Sequence, residues 1–459
     1  MHSDTSAAHP SPTRAETTGR EIIGWCFYDW ANSAFATTVL AAVLPIYFAY
    51  IFPKQGLYLG LPGGPGWITR APSLWAYAVS LSLLLVALSS PLLGAIADRT
   101  GAKKRFLACY AFTGAACTSL LYLVQKGDVW LCLILFMIAN ICFAGGNVFY
   151  NAYLPQMAEP EKMDRLSGWG FAAGYLGGGL LLALNLLMVK NPALFNIPDP
   201  LLATRLCFIS VGLWWAVFTI PTLVLVKERA PLPPASDDNV WRCSFHRLRT
   251  TLAKIRSYSE LLRFLIAFLI YNDGIQTVIV MATIFGKTEL QLSSSTLLTT
   301  LLLIQVIGIP GAILFSKLAD WFGAKFALML SLVVWTAVAC YGFFVQTAVE
   351  FLLLAAAAGL VLGGSQSISR SLYGRFVPPA HSAEFYGFYA VSNKFSSILG
   401  PLLFGFLTDL TGNIRIAVLS ITVFFLVGMA LLAGVDVEKG KRQRRLGNGE
   451  ETHSPLQQS

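Results

Sequence analysis

Long apolar stretches follow one another along this chain, separated by short polar segments. About 20 consecutive apolar residues suffice to cross the hydrocarbon core of a membrane as a helix. Spans are predicted at 25–51, 73–97, 106–125, 129–153, 167–189 and 204–226, then at 264–285, 296–318, 326–346, 350–374, 385–408 and 415–435. The polar segments complete the plan. Residues 1–21 carry Ser, Thr and Pro without an apolar core, which predicts a disordered tail rather than a cleaved signal peptide. A basic linker at 227–263 separates a bundle at 22–226 from a second at 264–435, and a basic tail occupies 436–459.

Composition agrees with this pattern. Of 459 residues, 55% are hydrophobic and 12% charged, against about 25% charged in soluble domains. The net charge of +9 resembles a nucleic-acid signal until the basic residues are placed on loops. With both termini cytoplasmic, about 25 of the 33 Lys and Arg residues fall on the cytoplasmic side, where basic residues are retained. Lys54, Arg70, Lys126, Lys190, Arg205, Lys287 and Arg415 fall outside. A span count wrong by one would scramble this asymmetry, so charge reports topology and no nucleic-acid partner is expected. The linker either lies against anionic headgroups or is simply solvated. The cysteines form no CxxC pair and lie mostly in apolar runs, as small buried hydrophobes do. The histidines fall in tails and loops, so neither a metal nor a cofactor is expected.

An internal repeat divides the chain. Gly94-Ala-Ile-Ala-Asp98-Arg99-Thr-Gly101-Ala102-Lys103-Lys104-Arg105 follows the second span, and Ser316-Lys-Leu-Ala-Asp320-Trp-Phe-Gly323-Ala324-Lys325 follows the eighth. Both contain Ala-Asp-x-x-Gly-Ala-Lys, and Asp98 and Asp320 lie 222 residues apart. Gly145-Gly146 with Gly168 answers Gly363-Gly364 with Gly387 at offsets of 218 to 219, and Tyr28-Asp29 answers Tyr271-Asn272-Asp273. Two like-oriented halves of six spans give the parallel pseudo-symmetry that transporters use for alternating access.

The Gly94–Arg105 segment resembles the loop motif of the major facilitator superfamily, G-x-L-A-D-R-x-G-R-K, with Ile for Leu and Ala102 for the first basic residue. Within the superfamily the chain resembles the "unknown major facilitator" branch, which includes the fungal autophagy-related vacuolar amino-acid effluxers. The resemblance rests on Tyr28-Asp-Trp-Ala-Asn-Ser-Ala-Phe35, Tyr271-Asn-Asp-Gly-Ile-Gln-Thr277, Gly363-Gly-Ser-Gln-Ser-Ile-Ser-Arg370 and Gly400-Pro-Leu-Leu-Phe-Gly405, and covers nearly all of 21–437. It implies a major facilitator fold of twelve transmembrane helices in two six-helix bundles, both termini cytoplasmic. It assigns a gating role to Asp98, Arg99, Gly101 and Lys103 and to their counterparts Asp320, Gly323 and Lys325. The plainer reading of these basic residues is that they anchor loops inside. The family's antiporter motif places Gly-Pro in the fifth span, where this chain has Gly177-Gly178.

Ionisable groups inside a membrane are costly, and those that remain usually face a cavity. Asp273 lies ten residues past Arg263, about 15 Å into the membrane at 1.5 Å per residue. Lys394 lies ten residues past Glu384, at matching depth. Asp29 sits nearer the terminal end of the first span, and Arg370 within snorkelling reach of the headgroups. Asp29, Asp273 and Lys394 are expected to line the pathway, binding substrate or exchanging a proton, or to pair structurally. Amides need partners in hydrocarbon. Because spans 1, 4, 7 and 10 line the cavity in the resembled family, Asn32, Asn147, Asn272, Gln276 and Gln366 join the candidates, and interhelical bonding is their alternative.

No HExxH, GxSxG or Walker loop stands in a plausible context, so an enzyme is not expected. A non-transporting receptor or scaffold would explain the spans but not the matched halves. The expectation is a proton-linked or facilitative carrier of a small polar metabolite, with amino acids favoured by the resemblance. It is expected to be monomeric and multi-pass, in a bacterial inner membrane or, in a fungus, a vacuolar or lysosomal one.

Overall fold

The computed structural model describes residues 17–60, 66–228, 258–396 and 399–447. Its first half comprises α1 (Gly19–Ile51), α2 (Ala71–Thr100), α3 (Lys103–Leu123), α4 (Val129–Met157), α5 (Met163–Lys190) and α6 (Pro200–Leu225). The second comprises α7 (Ser259–Thr288), α8 (Ser294–Phe322), α9 (Ala324–Gly342), α10 (Ala348–Phe376), α11 (Ser382–Phe395), α12 (Leu399–Thr411) and α13 (Ile414–Ala433), with α14 (Val437–Gly447) after them. Among the described residues eleven helices, α1–α10 and α13, are long and apolar enough to cross a membrane.

Several ends are written into the sequence as caps, which satisfy the N–H groups a helix leaves open at its start. Thr18 and Glu21 form a capping box that starts α1 at Gly19, inside the stretch predicted as a tail. Thr347 and Glu350 do the same for α10. Asp199 accepts the Leu202 N–H at 2.8 Å to begin α6.

Four departures from the predicted plan have local causes. The eleventh span is not one helix: α11 ends at Phe395 and α12 begins at Leu399. Pro401 lacks an N–H and fits a first helical turn without losing a hydrogen bond, so Gly400-Pro401 suits a new start there. Residues 57–69 contribute a two-stranded antiparallel pair, β1 (Leu57–Gly60) and β2 (Gly66–Thr69), with Tyr58 opposite Ile68. Of the predicted linker, 229–257 lie outside the described residues, and 259–263 belong to α7. The basic tail carries α14, moored on the buried Glu260, which accepts from Lys439 Nζ at 3.2 Å and the Asp436 N–H at 3.0 Å.

Within α1, Phe35–Val43 winds as a π-helix. Such wide turns often mark functional positions, and this one supplies Ala36, Thr37 and Ala41 to the central cavity.

The halves meet through α2 against α11 and α5 against α8. Small residues permit the approach. A Cβ on Gly94 would stand 2.3 Å from the Ala383 carbonyl oxygen, and one on Gly387 2.7 Å from Pro91 Cα. The backbones at both sites cannot yield locally. We predict that Gly94→Ala lowers the melting temperature in detergent, at a cost of about 1–3 kcal/mol typical of overpacking. Gly405→Ala, whose Cβ meets nothing within 4 Å, should leave it unchanged. Equal melting of the two variants would show that the α2–α11 approach carries no stability.

Candidate functional site

A cavity of about 480 Å³ lies between the halves. It runs from Asp29 and Arg370 toward Leu297 and Phe351, on the side away from the chain termini. Six expected pathway residues line it: Asp29, Asn32, Asn147, Asn272, Gln276 and Gln366. The amides are partly committed to each other, as polar groups in an apolar surround must be. Asn32 Nδ2 donates to Asn147 Oδ1 at 2.8 Å, and Asn272 Nδ2 donates to Asn393 Oδ1 at 2.9 Å and also to Ser396 Oγ. The Tyr175 hydroxyl of α5 donates to Gln366 Oε1 at 3.0 Å, across the halves.

Among the described residues lining the cavity, Asp29 and Arg370 are the charged ones. Arg370 Nη1 donates to Asp29 Oδ2 at 3.0 Å, and the Tyr150 hydroxyl donates to the same oxygen at 2.7 Å. Arg370 also donates from Nε to Ser167 Oγ at 2.9 Å, from Nη2 to the Ser167 carbonyl at 2.8 Å, and from Nη1 to Asn151 Oδ1 at 3.3 Å. The guanidinium lies over Phe171 at 4.1 Å and Trp25 at 4.9 Å from the ring centroids, a cation–π arrangement that gains strength when desolvated. Arg370 is therefore an interior group and not a snorkelling one.

Asp273 is corrected. It is fully buried but absent from the cavity wall. Its Oδ1 accepts the Gly400 N–H at 2.9 Å, and Oδ2 has no hydrogen-bond partner among the described residues. A carboxylate at the first turn of α12 satisfies an open N–H and meets the positive end of the helix dipole. Depth, which sequence gives, does not fix the face: Asn272 and Gln276 share one side of α7, and Asp273 is turned about 100° from it. Lys394 falls on α11, and its side chain lies outside the described residues.

Toward the face that carries the termini, further contacts join the halves. Asp164 of α5 pairs with Arg375 of α10 and accepts from Ser371 Oγ, all three buried. Ser167 Oγ donates to the Ser367 carbonyl at 2.7 Å, and Gln156 Nε2 to the Pro379 carbonyl at 2.9 Å. Asp98 accepts the N–H groups of Ala383 and Glu384, at 3.2 and 2.9 Å, at the start of α11, while Lys103 Nζ lies 2.7 Å from its Oδ1. Arg99 is half-buried beside it, and Gly101, at φ 64°, makes the left-handed turn that frees Lys103 to fold back.

The second motif copy behaves differently. Asp320 is exposed. Gly323 takes φ 90°, and Lys325 Nζ donates to the Ala433 and Val435 carbonyls at 2.7 and 2.8 Å, capping the end of α13. This copy also meets the first half, since a Cβ on Gly168 of α5 would collide with Ser316 Oγ, while its Lys325 moors the end of α13.

Sequence reasoning missed Arg370, Ser167, Asp164 and Arg375. A signal was present: Asp29 and Arg370 are opposite charges near the same ends of two cavity-lining spans, each needing a partner.

This fold, with a polar cavity between two like-oriented halves, is the fold of solved major facilitator proteins. The E. coli fucose:proton symporter FucP superposes with a TM-score of 0.66 at 14% identity, covering 91% of this chain and 98% of that one. A bacterial homologue of the iron transporter ferroportin in an outward-facing state gives 0.62 at 15% identity, covering 90% and 98%. The chain belongs to the family described as "Vacuole effluxer Atg22 like", whose model matches residues 17–445. The MFS-type transporter YxiO of Bacillus subtilis (strain 168) is 34% identical over 416 residues, 90% of this chain and 94% of that protein. Autophagy-related protein 22-1 of Penicillium rubens is 25% identical, covering 95% and 93%. The chain is accordingly a transporter and not an enzyme.

Breaking a buried pair costs about 3–5 kcal/mol because one charge stays uncompensated. Asp164→Ala should therefore destabilise the folded protein in detergent far more than an exposed change such as Glu159→Ala. Adding Arg375→Leu should recover part of the loss. Additive effects in the double variant would show that the pair is not energetically coupled.

Proposed function

We propose that the chain carries a small polar metabolite through the central cavity by alternating access, with amino acids as the class the family resemblance favours. The observation that supports this reading best is the cavity floor. A carboxylate and a guanidinium of opposite halves lie together there, ringed by amides, beneath walls that are largely apolar. A zwitterion presents the matching pair of charges, and its remaining surface can rest on the apolar wall. Asp29, Asn32, Asn147, Asn272, Gln276 and Gln366 are the proposed substrate or proton contacts.

In this reading the contacts around Asp98, Asp164 and Gln156 close the face carrying the termini, and the rich Lys and Arg content of that face makes it the cytoplasmic one. Asp98, Arg99, Gly101 and Lys103 form the gate, with the Asp98 carboxylate held by the N-terminus of α11. Ion pairs at such a boundary exchange partners at small net cost as the halves move. The cycle is either proton-linked or facilitative, in a monomer.

Uptake in proteoliposomes across an amino-acid panel, with internal pH followed in parallel, tests the reading. At least one amino acid should accumulate or equilibrate faster than in empty vesicles. Asn147→Leu should cut that rate about tenfold or more, a change worth about 1.4 kcal/mol. Internal acidification in step with uptake would support the proton-linked form, and none the facilitative one. If no amino acid moves in folded protein, that substrate class is wrong. If Asn147→Leu transports normally, the cavity wall is not the pathway.

A further inference from the structure

Asp29 serves two places at once. It lines the cavity, and its Oδ2 accepts from both Arg370 and Tyr150. Its Oδ1 takes no hydrogen bond among the described residues. Arg370 is only 3% exposed, and each acceptor of its side chain belongs to the first half: Asp29 on α1, Asn151 on α4, Ser167 on α5. Within its own half, the Arg370 backbone carbonyl also accepts from the Tyr386 hydroxyl at 3.0 Å. The guanidinium is thus a tie between the halves at the cavity floor.

Parting the halves at the terminal face would strip Arg370 of all these acceptors. Arginine keeps its charge at any ordinary pH, so it cannot escape the cost by losing a proton. The adjustable partner is Asp29. A cation arriving from the cavity meets Asp29 first, since the carboxylate side chain is 11% exposed and the guanidinium 3%. A second positive charge on Oδ1 repels Arg370 and competes for the one negative charge, an effect magnified away from water. An anion from the same side meets the carboxylate and is repelled.

We propose that Oδ1 of Asp29 is a subsite for a cationic group, a primary ammonium, and that its occupancy loosens the Asp29–Arg370 tie and unlocks the terminal face. This rests on the transport reading above and adds the residue at which cargo binding reaches the gate. Tyr150 is a positioning residue, holding Oδ2 toward Arg370 and leaving Oδ1 to the cavity.

Hydrogen–deuterium exchange of the full chain in nanodiscs tests this, read at the first turns of α5 and α11 where the closed face is bonded. Butylammonium, which has no carboxylate, should speed exchange there by about tenfold as open states become populated. Butyrate should not. Asp29→Asn should exchange fast without a probe and respond no further to butylammonium. Tyr150→Phe keeps the charge and should still respond, which separates loss of the subsite from loss of the fold. An equal effect of butyrate, no effect of butylammonium, or wild-type exchange in Asp29→Asn would each overturn the proposal. The readout needs no transported substrate, so failure of the amino-acid panel and failure of this switch are distinguishable.

Discussion

An arginine held away from water between two helical bundles must find its hydrogen bonds in protein, because an uncompensated charge there costs several kcal/mol. Arg370 meets this requirement entirely with the opposite half: one carboxylate, one amide, one serine hydroxyl and its carbonyl, with aromatic rings over its faces. The position of α10 against α1, α4 and α5 follows from that demand. So does the shape of the cavity, whose floor is the upper surface of the same cluster. Asp164 with Arg375 repeats the device nearer the terminal face. Buried pairs of this kind stabilise weakly overall but penalise mismatch heavily, so they specify which surfaces meet.

The two halves are alike in plan and unlike in use. Asp98 reaches across to the N-terminus of α11, whereas Asp320 lies exposed and Lys325 is spent on the end of α13. A related asymmetry separates the first helices of the halves. α1 turns Asp29 and Asn32 to the cavity. α7 turns Asn272 and Gln276 there and sends Asp273 to the broken eleventh span. In the proposed cycle the first half therefore carries the charged floor and the gating loop, and the second carries Arg370, which binds the floor, and the start of α11, which binds the loop.

Much of this was legible in the sequence. Apolar run length predicted twelve spans, and eleven of them fall on membrane-long helices with ends differing by at most six residues, because length and hydropathy are local properties. The loop motif marked the turn at Gly101, which takes φ 64°. What sequence could not give was rotation about each helix axis and the identity of partners. Asp273 shares the depth expected of a pathway group but faces α12, while Asp29 and Arg370 lie 341 residues apart and meet. The end of α11 at Phe395 was hidden for a different reason. Gly400-Pro401 is compatible with a kinked helix or a new one, and a carboxylate on another helix, Asp273, takes the Gly400 N–H at the new start.

In the proposed cycle the Arg370 cluster ties the halves at the cavity floor and must come apart for the terminal face to open. The direct measurement is an experimental structure of the protein trapped open on that face by a binder raised against it. The account predicts Arg370 withdrawn from Asp29, Asn151 and Ser167 beyond hydrogen-bond distance, with α10 parted from α5. An open terminal face with the Asp29–Arg370 pair intact would contradict it.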